Sequence, residues 1–370
     1  MKLAKAAAFL FLALSAAAQS SKHLNPATPG ASPEAGPDIA DVPVRILDFK
    51  LIEDAPVVSL SAVTAIPAQC TADGTLYLDM LDIHDPKKHS LVSVNGKTAH
   101  TFPLSAISDL HDITVHSYFP STKVVGILVR GTKELPGTPG PDKSPAGVAW
   151  RDYHNYVAEF DPDGSYQKSV QLPMAFQLSH LAILPSGEML VSGYDQLNST
   201  ARLLFLDDSG NVARQLDLPA FQKPVAADSS YGSHQSMMES SQLMGSVLFT
   251  AYDQDILVWR MGSSDPILDV GPGGSTREVP IQPPSGMVFT SLIPSTDRWV
   301  ALFRQSQAPA NQPLTPATYS WYDLRPQDAS PASKLAPAGE APASIACEVN
   351  GSYIAFKPDK NGKLMLVKAD

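Results

Sequence analysis

Three histidines in the chain have the residue type and the placement to hold a metal ion. His111 lies in SDLHDITVH, His180 in FQLSHLAIL and His234 in YGSHQSMM, each in a predicted connection between repeat units. Three imidazoles with a fourth open position form a zinc-type catalytic site, where the metal polarises a substrate or activates water. Asp112 would then be an outer hydrogen-bond partner that orients one of the imidazoles. The alternative is three ordinary loop histidines, because the chain holds nine histidines and no HExxH or paired CxxC motif.

Other candidate residues carry weaker chemical signals. Asp253 and Asp255 predict either an ion site or the acidic tip of a hairpin. Arg151, Asp152 and His154 follow the longest insertion and predict either part of a binding face or a solvated rim. The serines of residues 229–246 lack the GxSxG elbow of serine hydrolases, and no EF-hand loop is present. No catalytic motif therefore identifies a reaction.

The elements that must position these residues form an internal repeat. The segments FDPDG (160–164) and LDDSG (206–210) lie 46 residues apart, and each precedes a short strand ending in Leu-Pro. Short apolar runs separated by turn residues predict antiparallel strands. Six hairpins are predicted, the fourth with its turn near residue 245: QCTADGTLYL (69–78), YFPSTKVVGILV (118–129), LAILPSGEMLV (181–191), QLMGSVLFTAY (242–252), SLIPSTDRWVALF (291–303) and IACEVNGSYIAF (345–356).

The two ends of the repeat complement each other. The sixth unit has three strands and no fourth, whereas Val44–Leu51 predicts a strand with no hairpin before it. If that strand completes the last blade, the ring closes and removes exposed sheet edges. The sequence therefore predicts an all-β protein, a six-bladed β-propeller of four-stranded antiparallel blades. Seven blades are the alternative, because segments 104–173 and 219–290 have room for extra strands.

The pattern resembles six-bladed β-propellers of the broad NHL and gluconolactonase-like kind. The resemblance covers about residues 44–370 and lies in strand pattern and ring closure, since WD and kelch patterns are absent. Gluconolactonase-like propellers hold a divalent cation with channel-facing Glu, Asn and Asp. The resemblance thus implies a divalent metal cofactor, although no residues of this chain match those positions.

The two cysteines occupy equivalent positions in the first and last units. Cys70 and Cys347 each lie four residues before a turn glycine, Gly74 and Gly351. They become neighbours once the ring closes, and a disulfide is expected in an oxidising compartment. Two buried free thiols are the alternative, because equivalent points on adjacent blades can lie too far apart to bond.

The first residues have the pattern of a cleaved secretory signal. Lys2 and Lys5 precede a short apolar run, which leads to the small residues Ala16-Ala17-Ala18. No cysteine follows this cleavage site, so no lipid anchor is expected, and the sequence predicts a secreted or periplasmic protein. The expected organisation is a signal peptide, a flexible leader rich in Pro, Ala and Gly, and one propeller domain, at residues 1–18, 19–43 and 44–370.

Charge and hydropathy exclude some classes of partner. The formal net charge of −10 argues against nucleic-acid binding, which needs a basic surface. No apolar run after the signal reaches the roughly 18 residues that a membrane helix needs. We expect a monomer.

The predicted connections are uneven in length. Turns within the first hairpin and between the third and fourth strands are tight, and they share one face of a propeller. Long connections share the other face: Gly131–Ala149, Pro219–Met238, Gly271–Met287 and Ser306–Ala317. Long loops on a rigid scaffold commonly carry function. The sequence therefore predicts a binding scaffold that contacts a protein, peptide or carbohydrate through its long-loop face. The alternative is a metal-dependent lyase or lactonase with its site at the channel mouth.

Overall fold

A computed structural model gives the architecture of the chain. It describes residues 42–53, 55, 58–59, 68–81, 89–95, 97–133, 152–195, 200–216, 247–260, 265–305, 318–342, 344–361 and 363–370. The predicted signal peptide, nearly all of the leader, Arg151 and His234 lie outside the described residues. The predictions made for them stay predictions.

The first three sheets each contain four antiparallel strands in chain order. Blade one consists of β4 (Gln69–Cys70), β5 (Leu76–Leu81), β6 (His89–Asn95) and β7 (Thr98–Pro103). Blade two consists of β8 (His111–Pro120), β9 (Val125–Thr132), β10 (His154–Phe160) and β11 (Tyr166–Leu172). Blade three consists of β12 (Gln177–Ile183), β13 (Met189–Asp195), β14 (Thr200–Leu206) and β15 (Val212–Leu216).

The other three sheets continue the ring. Blade four consists of β16 (Val247–Tyr252), β17 (Asp255–Arg260), β18 (Ile267–Val270) and β19 (Thr276–Val279). Blade five consists of β20 (Met287–Ile293), β21 (Trp299–Gln305), β22 (Tyr319–Leu324) and β23 (Pro331–Pro337). Blade six contains β24 (Ser344–Val349), β25 (Ser352–Pro358) and β26 (Lys363–Ala369). The predicted six-bladed β-propeller is confirmed, and the described residues form six sheets.

The predicted N-terminal strand divides between two blades. Residues Val44–Leu47 form β1, which pairs in parallel with β23 and adds a fifth strand to blade five. Residues Lys50–Leu51 form β2, which pairs antiparallel with β26 and closes blade six. The short strand β3 (Val58–Ser59) also pairs with β26. The chain therefore crosses from blade five to blade six at Leu47, whose side chain is buried between them.

The hairpin predicted for blade four at residues 242–252 was placed one strand too early. The hairpin turn falls at residues 253–254 instead of near 245, so residues 256–260 belong to the second strand. The predicted connection Gly271–Met287 contains the fourth strand, β19. The cause is Asp253, which adopts φ 48° and makes this turn without a glycine.

The hydrophobic core lies between the blades. Every residue of the second strand of blade three, β13, is buried, because both faces of a middle strand pack against adjacent blades. Aromatic rings fill the space between blades four and five, where Trp259 contacts Phe289 and Phe289 contacts Phe303, edge to face. Burial on both faces removes the polar–apolar alternation that marks a half-exposed strand.

One turn in each of blades two, three and four packs against the outermost strand of the preceding blade. A Cβ at Gly164 would lie 2.6 Å from the Thr101 carbonyl oxygen, and Gly164 has φ +93°. Gly210 and Gly274 occupy the corresponding turns of the next two blades. These turn glycines therefore serve both the positive φ and the close approach of neighbouring blades.

We expect Gly164→Ala to lower the free energy of unfolding by about 2–3 kcal/mol, through strain at positive φ and displacement of the Thr101 carbonyl. The matched control is Gly74→Ala, because Gly74 has φ +84° and open space around its Cβ position. Gly74→Ala adds only the backbone strain, so it should lower the free energy of unfolding by about 1 kcal/mol. Urea denaturation measures both losses. Equal losses would show that the contact between blades one and two contributes nothing.

A disulfide joins the two sides of the closure. Cys70 of β4 and Cys347 of β24 are bonded across 277 residues of chain, with Cα atoms 6.2 Å apart. Both residues lie on the innermost strands of their blades, and their side chains are buried among core residues of blades one and six. The bond therefore fastens the last blade to the first.

Candidate functional site

The two ends of the propeller channel differ in the length of their connections. At one end every connection is short: residues 184–188 join β12 to β13, and residues 350–351 join β24 to β25. At the other end residues 133–153 join β9 to β10, and residues 217–246 join β15 to β16. We call the first the tight-turn mouth and the second the long-loop end.

The tight-turn mouth contains a cavity of about 80 Å³ to which all six blades contribute. Its lining includes one polar or turn residue from each blade in turn: Thr71, Ser121, Pro185, Asp253, Ser295 and Glu348. The first strands of the blades end here, because each runs parallel to the channel before turning back into its second strand. The cavity therefore lies on the axis of the ring.

Glu348 ties the turns of blades five and six together beside this cavity. Its side chain is completely buried, and its Oε2 accepts hydrogen bonds from the backbone N–H groups of Thr296 and Asp297, at 3.0 and 3.2 Å. Its Oε1 accepts a third bond from the N–H of Gly351. Backbone donors thus satisfy the buried carboxylate and hold the rim in one conformation.

Blades four and five are joined at the same level. The N–H of Ser295 donates to the Ala251 carbonyl at 3.1 Å, and the N–H of Asp253 donates to the Ser295 carbonyl at 3.3 Å. The Ser295 side chain is 5 % exposed, and its hydroxyl has no hydrogen-bond partner among the described residues. The backbone around Ser295 is therefore fixed, and its hydroxyl is buried without a described partner.

Carboxylates dominate one side of the mouth. Burial and the carboxylates of Asp253, Asp269, Asp255 and Asp297 together raise the pKa of Tyr252. Burial and the neighbouring carboxylates of Asp269 and Asp253 also raise the pKa of Asp255. Arg277 pairs with Asp269, with 2.6 Å between Nη2 and Oδ2. No salt bridge within the described part of the chain reaches Asp253 or Asp255.

The raised pKa of Asp255 makes stability depend on pH. Because the folded chain holds this proton more tightly than the unfolded chain, stability falls as pH rises from the usual Asp range through the raised pKa. We expect Asp255→Asn to be more stable than the native chain at neutral pH. That gain should vanish below the ordinary Asp pKa of about 4. Urea denaturation of both chains across this range checks it, and a difference that does not change with pH would contradict it.

The channel is bridged below the mouth. The side-chain Nε2 of Gln69, on β4 of blade one, donates to the Phe249 carbonyl on β16 of blade four at 3.4 Å. Blades one and four face each other across the ring, so this bond spans the channel. A side chain of blade one therefore crosses the channel at this level.

The structure does not bring two of the predicted metal ligands together. His111 is the first residue of β8, whereas His180 lies within β12, not in a connection, and its ring contacts that of Phe249. The N–H of Leu181 donates to Ser117 Oγ at 3.0 Å, which places His180 beside residues 116–117 of β8. His111 is then on the order of 15 Å further along the channel, given about 3.3 Å per strand residue.

A metal at either histidine stays a prediction, because His234 lies outside the described residues. Within the described residues, no group of three or more His, Cys, Asp or Glu side chains is arranged to hold a metal ion. Asp112, the predicted supporting residue, is exposed with φ 51°, and its Oδ2 accepts a hydrogen bond from Tyr153 at 3.5 Å. His111 and Asp112 instead line a cavity of about 730 Å³ beside the start of β8, at the long-loop end.

Comparison with known proteins adds no family. No family model and no curated protein matches the chain. Among solved structures, the chain is similar to virginiamycin B lyase from Staphylococcus aureus, with 11 % identity, coverage of 87 % of this chain and 99 % of that one, and a TM-score of 0.39. It is also similar to a protein of unknown function from Dyadobacter fermentans, with 12 % identity, coverage of 88 % of this chain and 96 % of that one, and a TM-score of 0.40.

A Trypanosoma rangeli sialidase in complex with 2,3-difluorosialic acid gives 9 % identity, 87 % coverage of this chain and a TM-score of 0.34. The chain spans 59 % of the sialidase's length. Likeness at these values carries no functional argument, and the fold rests on the strand pairing described above. The described residues include no helix long and apolar enough to cross a membrane.

The remaining sequence candidates have local roles. Asp253 forms the predicted acidic hairpin tip, and Asp255 follows it at the start of β17. His154 Nε2 lies 2.9 Å from Asp152 Oδ2. No sequence signal marks Ser295, because serine in a Pro-Ser-Thr turn is ordinary and only the fold brings it to the axis of the ring.

Proposed function

We propose that the protein is an exported binding scaffold that takes a protein, peptide or carbohydrate ligand at its long-loop end. The cavity of about 730 Å³ beside His111 and Asp112 carries this proposal, because ligand sites commonly measure about 300–1,000 Å³. Serine and threonine hydroxyls line it together with leucine, isoleucine and valine side chains. Such a mixture suits a ligand with both apolar and hydrogen-bonding groups.

The rigidity of the ring supports the same proposal. Six blades and the Cys70–Cys347 disulfide fix the positions from which the long connections leave. A fixed platform lets loops bind without ordering the whole domain at the same time. The disulfide also supports export, because such bonds persist in oxidising compartments.

The test screens the chain without residues 1–18 against immobilised glycans and displayed peptides. Every ligand retained should be lost on replacing residues 134–149 by a short Gly-Ser linker, and weakened by His111→Ala. The matched control is Asp208→Asn, in a turn on the opposite face, which should retain the ligands. If the loop variants keep the ligands, or if no ligand is retained by the native chain, the scaffold proposal fails.

The alternative is a metal-dependent lyase or lactonase whose metal is held by some of His111, His180 and His234. Elemental analysis of protein prepared without chelator or affinity histidines separates the two functions. Under the scaffold proposal, metal content is far below stoichiometric and unchanged by His180→Ala. Near-stoichiometric metal that His180→Ala removes would favour the enzyme.

A further inference from the structure

A β-bulge shapes the wall of the cavity of about 730 Å³ at the long-loop end. Asp112 and Ile113 of β8 together oppose one residue of β9, Gly131, before the regular pairing resumes at Thr114. A Cβ at Gly131 would lie 3.1 Å from the His111 carbonyl oxygen, so the bulge depends on the space that glycine leaves. Asp112 adopts φ 51° there and is exposed. Bulges re-aim side chains, and strained backbone is concentrated at binding sites, so both features point to a role for this carboxylate.

An exposed aromatic ring lies beside the same carboxylate. Tyr153 is 38 % exposed and is the one aromatic residue among the exposed large apolar side chains in the described part of the chain. Its hydroxyl donates to Asp112 Oδ2 at 3.5 Å, and the Arg130 guanidinium lies 6.0 Å from its ring centroid. These two contacts give an exposed ring a set orientation, one hydrogen bond away from a side chain that lines the cavity.

The connection from blade one to blade two forms another part of the wall, and it is fixed from behind. Ile107 and Leu110 are buried in the core between the two blades. Asp109 accepts hydrogen bonds from the hydroxyl groups of Tyr166 and Ser169 on β11. The wall therefore keeps its shape before a ligand arrives.

The lining suits an uncharged ligand rich in hydroxyl groups. Three exposed hydroxyl side chains line the cavity, those of Ser105, Ser108 and Thr114, and each can both donate and accept hydrogen bonds. A carboxylate has about four acceptor sites, so Asp112 can bind Tyr153 and still accept from ligand hydroxyls. No lysine or arginine is among the described residues that line the cavity, which disfavours an anionic ligand.

We propose that this cavity binds an uncharged sugar ring of an oligosaccharide, packed against Tyr153 and hydrogen-bonded to Asp112 and the three hydroxyl side chains. A pyranose has apolar C–H faces and hydroxyl groups around its edge. The half-buried side chains of Leu104, Ile113 and Val115 give the cavity the apolar surface that such a face needs. The inference rests on the proposed scaffold function, whose ligand it narrows to one of three classes.

The first measurement is saturation-transfer NMR of the chain without residues 1–18. The neutral probes are maltotriose, cellotriose and N,N′,N″-triacetylchitotriose, and trigalacturonate is the charged comparison. We expect at least one neutral trisaccharide to receive saturation at its ring C–H protons. It should bind at least about fivefold more tightly than trigalacturonate, because Asp112 repels a carboxylate. Equal or tighter binding of trigalacturonate would show a site for acidic sugars and overturn the proposal.

The outcomes separate this inference from the proposed function. If displayed peptides are retained in the screen described above and none of the three neutral trisaccharides binds, the sugar site is wrong and the scaffold function stands. If neither peptides nor sugars bind, both proposals fail.

Three substitutions test the named residues. Tyr153→Ala should weaken trisaccharide binding at least about tenfold, whereas Tyr153→Phe should keep it within about twofold, because the phenyl ring still packs against the sugar. Asp112→Asn should weaken binding about fivefold, since a charge-assisted hydrogen bond becomes a neutral one and asparagine tolerates the φ of 51°.

Asp208→Asn is the matched control for Asp112→Asn. It removes the same charge from an exposed turn on the opposite face and should leave trisaccharide binding unchanged. The urea midpoint of each variant establishes that it folds. Full binding by Tyr153→Ala, or equal weakening by Asp112→Asn and Asp208→Asn, would refute the site.

Discussion

The double substitution Cys70→Ala and Cys347→Ala should lower the free energy of unfolding by about 5 kcal/mol, the value that chain entropy gives for closing a loop of this length. The bond spans 277 residues, so its loss releases most of the unfolded chain. It also frees the innermost strands of blades one and six from each other. Guanidinium denaturation of the native and substituted chains measures the difference.

Reductant provides the control for the lost cysteine side chains. Dithiothreitol should lower the denaturation midpoint of the native chain almost to that of the double variant, and should leave the variant unchanged. Cys70→Ala alone should lose nearly as much as the pair, because either change removes the bond. A native chain whose midpoint is indifferent to reductant would show that the closure is held by strand pairing without help from the disulfide.

Asp323→Ala should lower the free energy of unfolding by about 3 kcal/mol, because it removes a buried carboxylate that accepts several hydrogen bonds. Asp323 is 1 % exposed, and its Oδ2 accepts hydrogen bonds from Arg298 Nη1 at 3.0 Å and Ser333 Oγ at 2.9 Å. Its Oδ1 accepts a bond from the Tyr353 hydroxyl at 2.6 Å. Removing the carboxylate leaves these donors without an acceptor.

The same carboxylate holds the N-terminal segment to the ring. Arg45 of β1 lies 3.9 Å from Asp323 Oδ2, and it donates to the Tyr353 hydroxyl and stacks over that ring. Asp323 therefore joins β1 to blades five and six. Burial and Asp323 both raise the pKa of Tyr353, so the phenol stays protonated and keeps donating.

The matched control for Asp323→Ala is Asp48→Ala. Asp48 pairs with Lys50 at 3.8 Å on the same N-terminal segment, but both side chains are largely exposed. Exposed pairs contribute little, so we expect almost no change in the midpoint. A similar loss in the two variants would show that burial does not decide the strength of these pairs. The loss of stability in Asp323→Asn should fall between those of Asp323→Ala and Asp48→Ala, because the amide keeps the shape of the carboxylate and loses its charge.

The ring could be predicted from the sequence because its signals are local. Each hairpin carries its own turn, and FDPDG and LDDSG repeat a turn that the packing of Gly164 and Gly210 explains. Blade four was misassigned where a local signal misled: Gly245 resembles a turn residue, whereas Asp253 makes the turn. The parallel pairing of β1 with β23 escaped prediction because no short-range pattern specifies it.

The polar sites were far harder to predict. Asp253 and Asp255 could be identified as an acidic hairpin tip, since both lie in one short segment. Ser295 and Glu348 could not, because they lie in separate turns that meet only when blades four, five and six assemble. Asp323 looks like a surface residue in its strand, and two of its partners, Arg45 and Tyr353, lie far away in the sequence.

The closure has a consequence for how the protein is made. A ribosome adds about 5–20 residues per second, so on the order of 15–55 s separates the synthesis of Cys70 from that of Cys347, 277 residues later. For most of that interval, until β23 is made, β1 has no partner strand, and its Val44 and Ile46 side chains, still 58 % and 60 % exposed in the finished ring, lie on a free edge. The incomplete ring therefore presents unpaired strand edges, which are templates for pairing with other chains during synthesis.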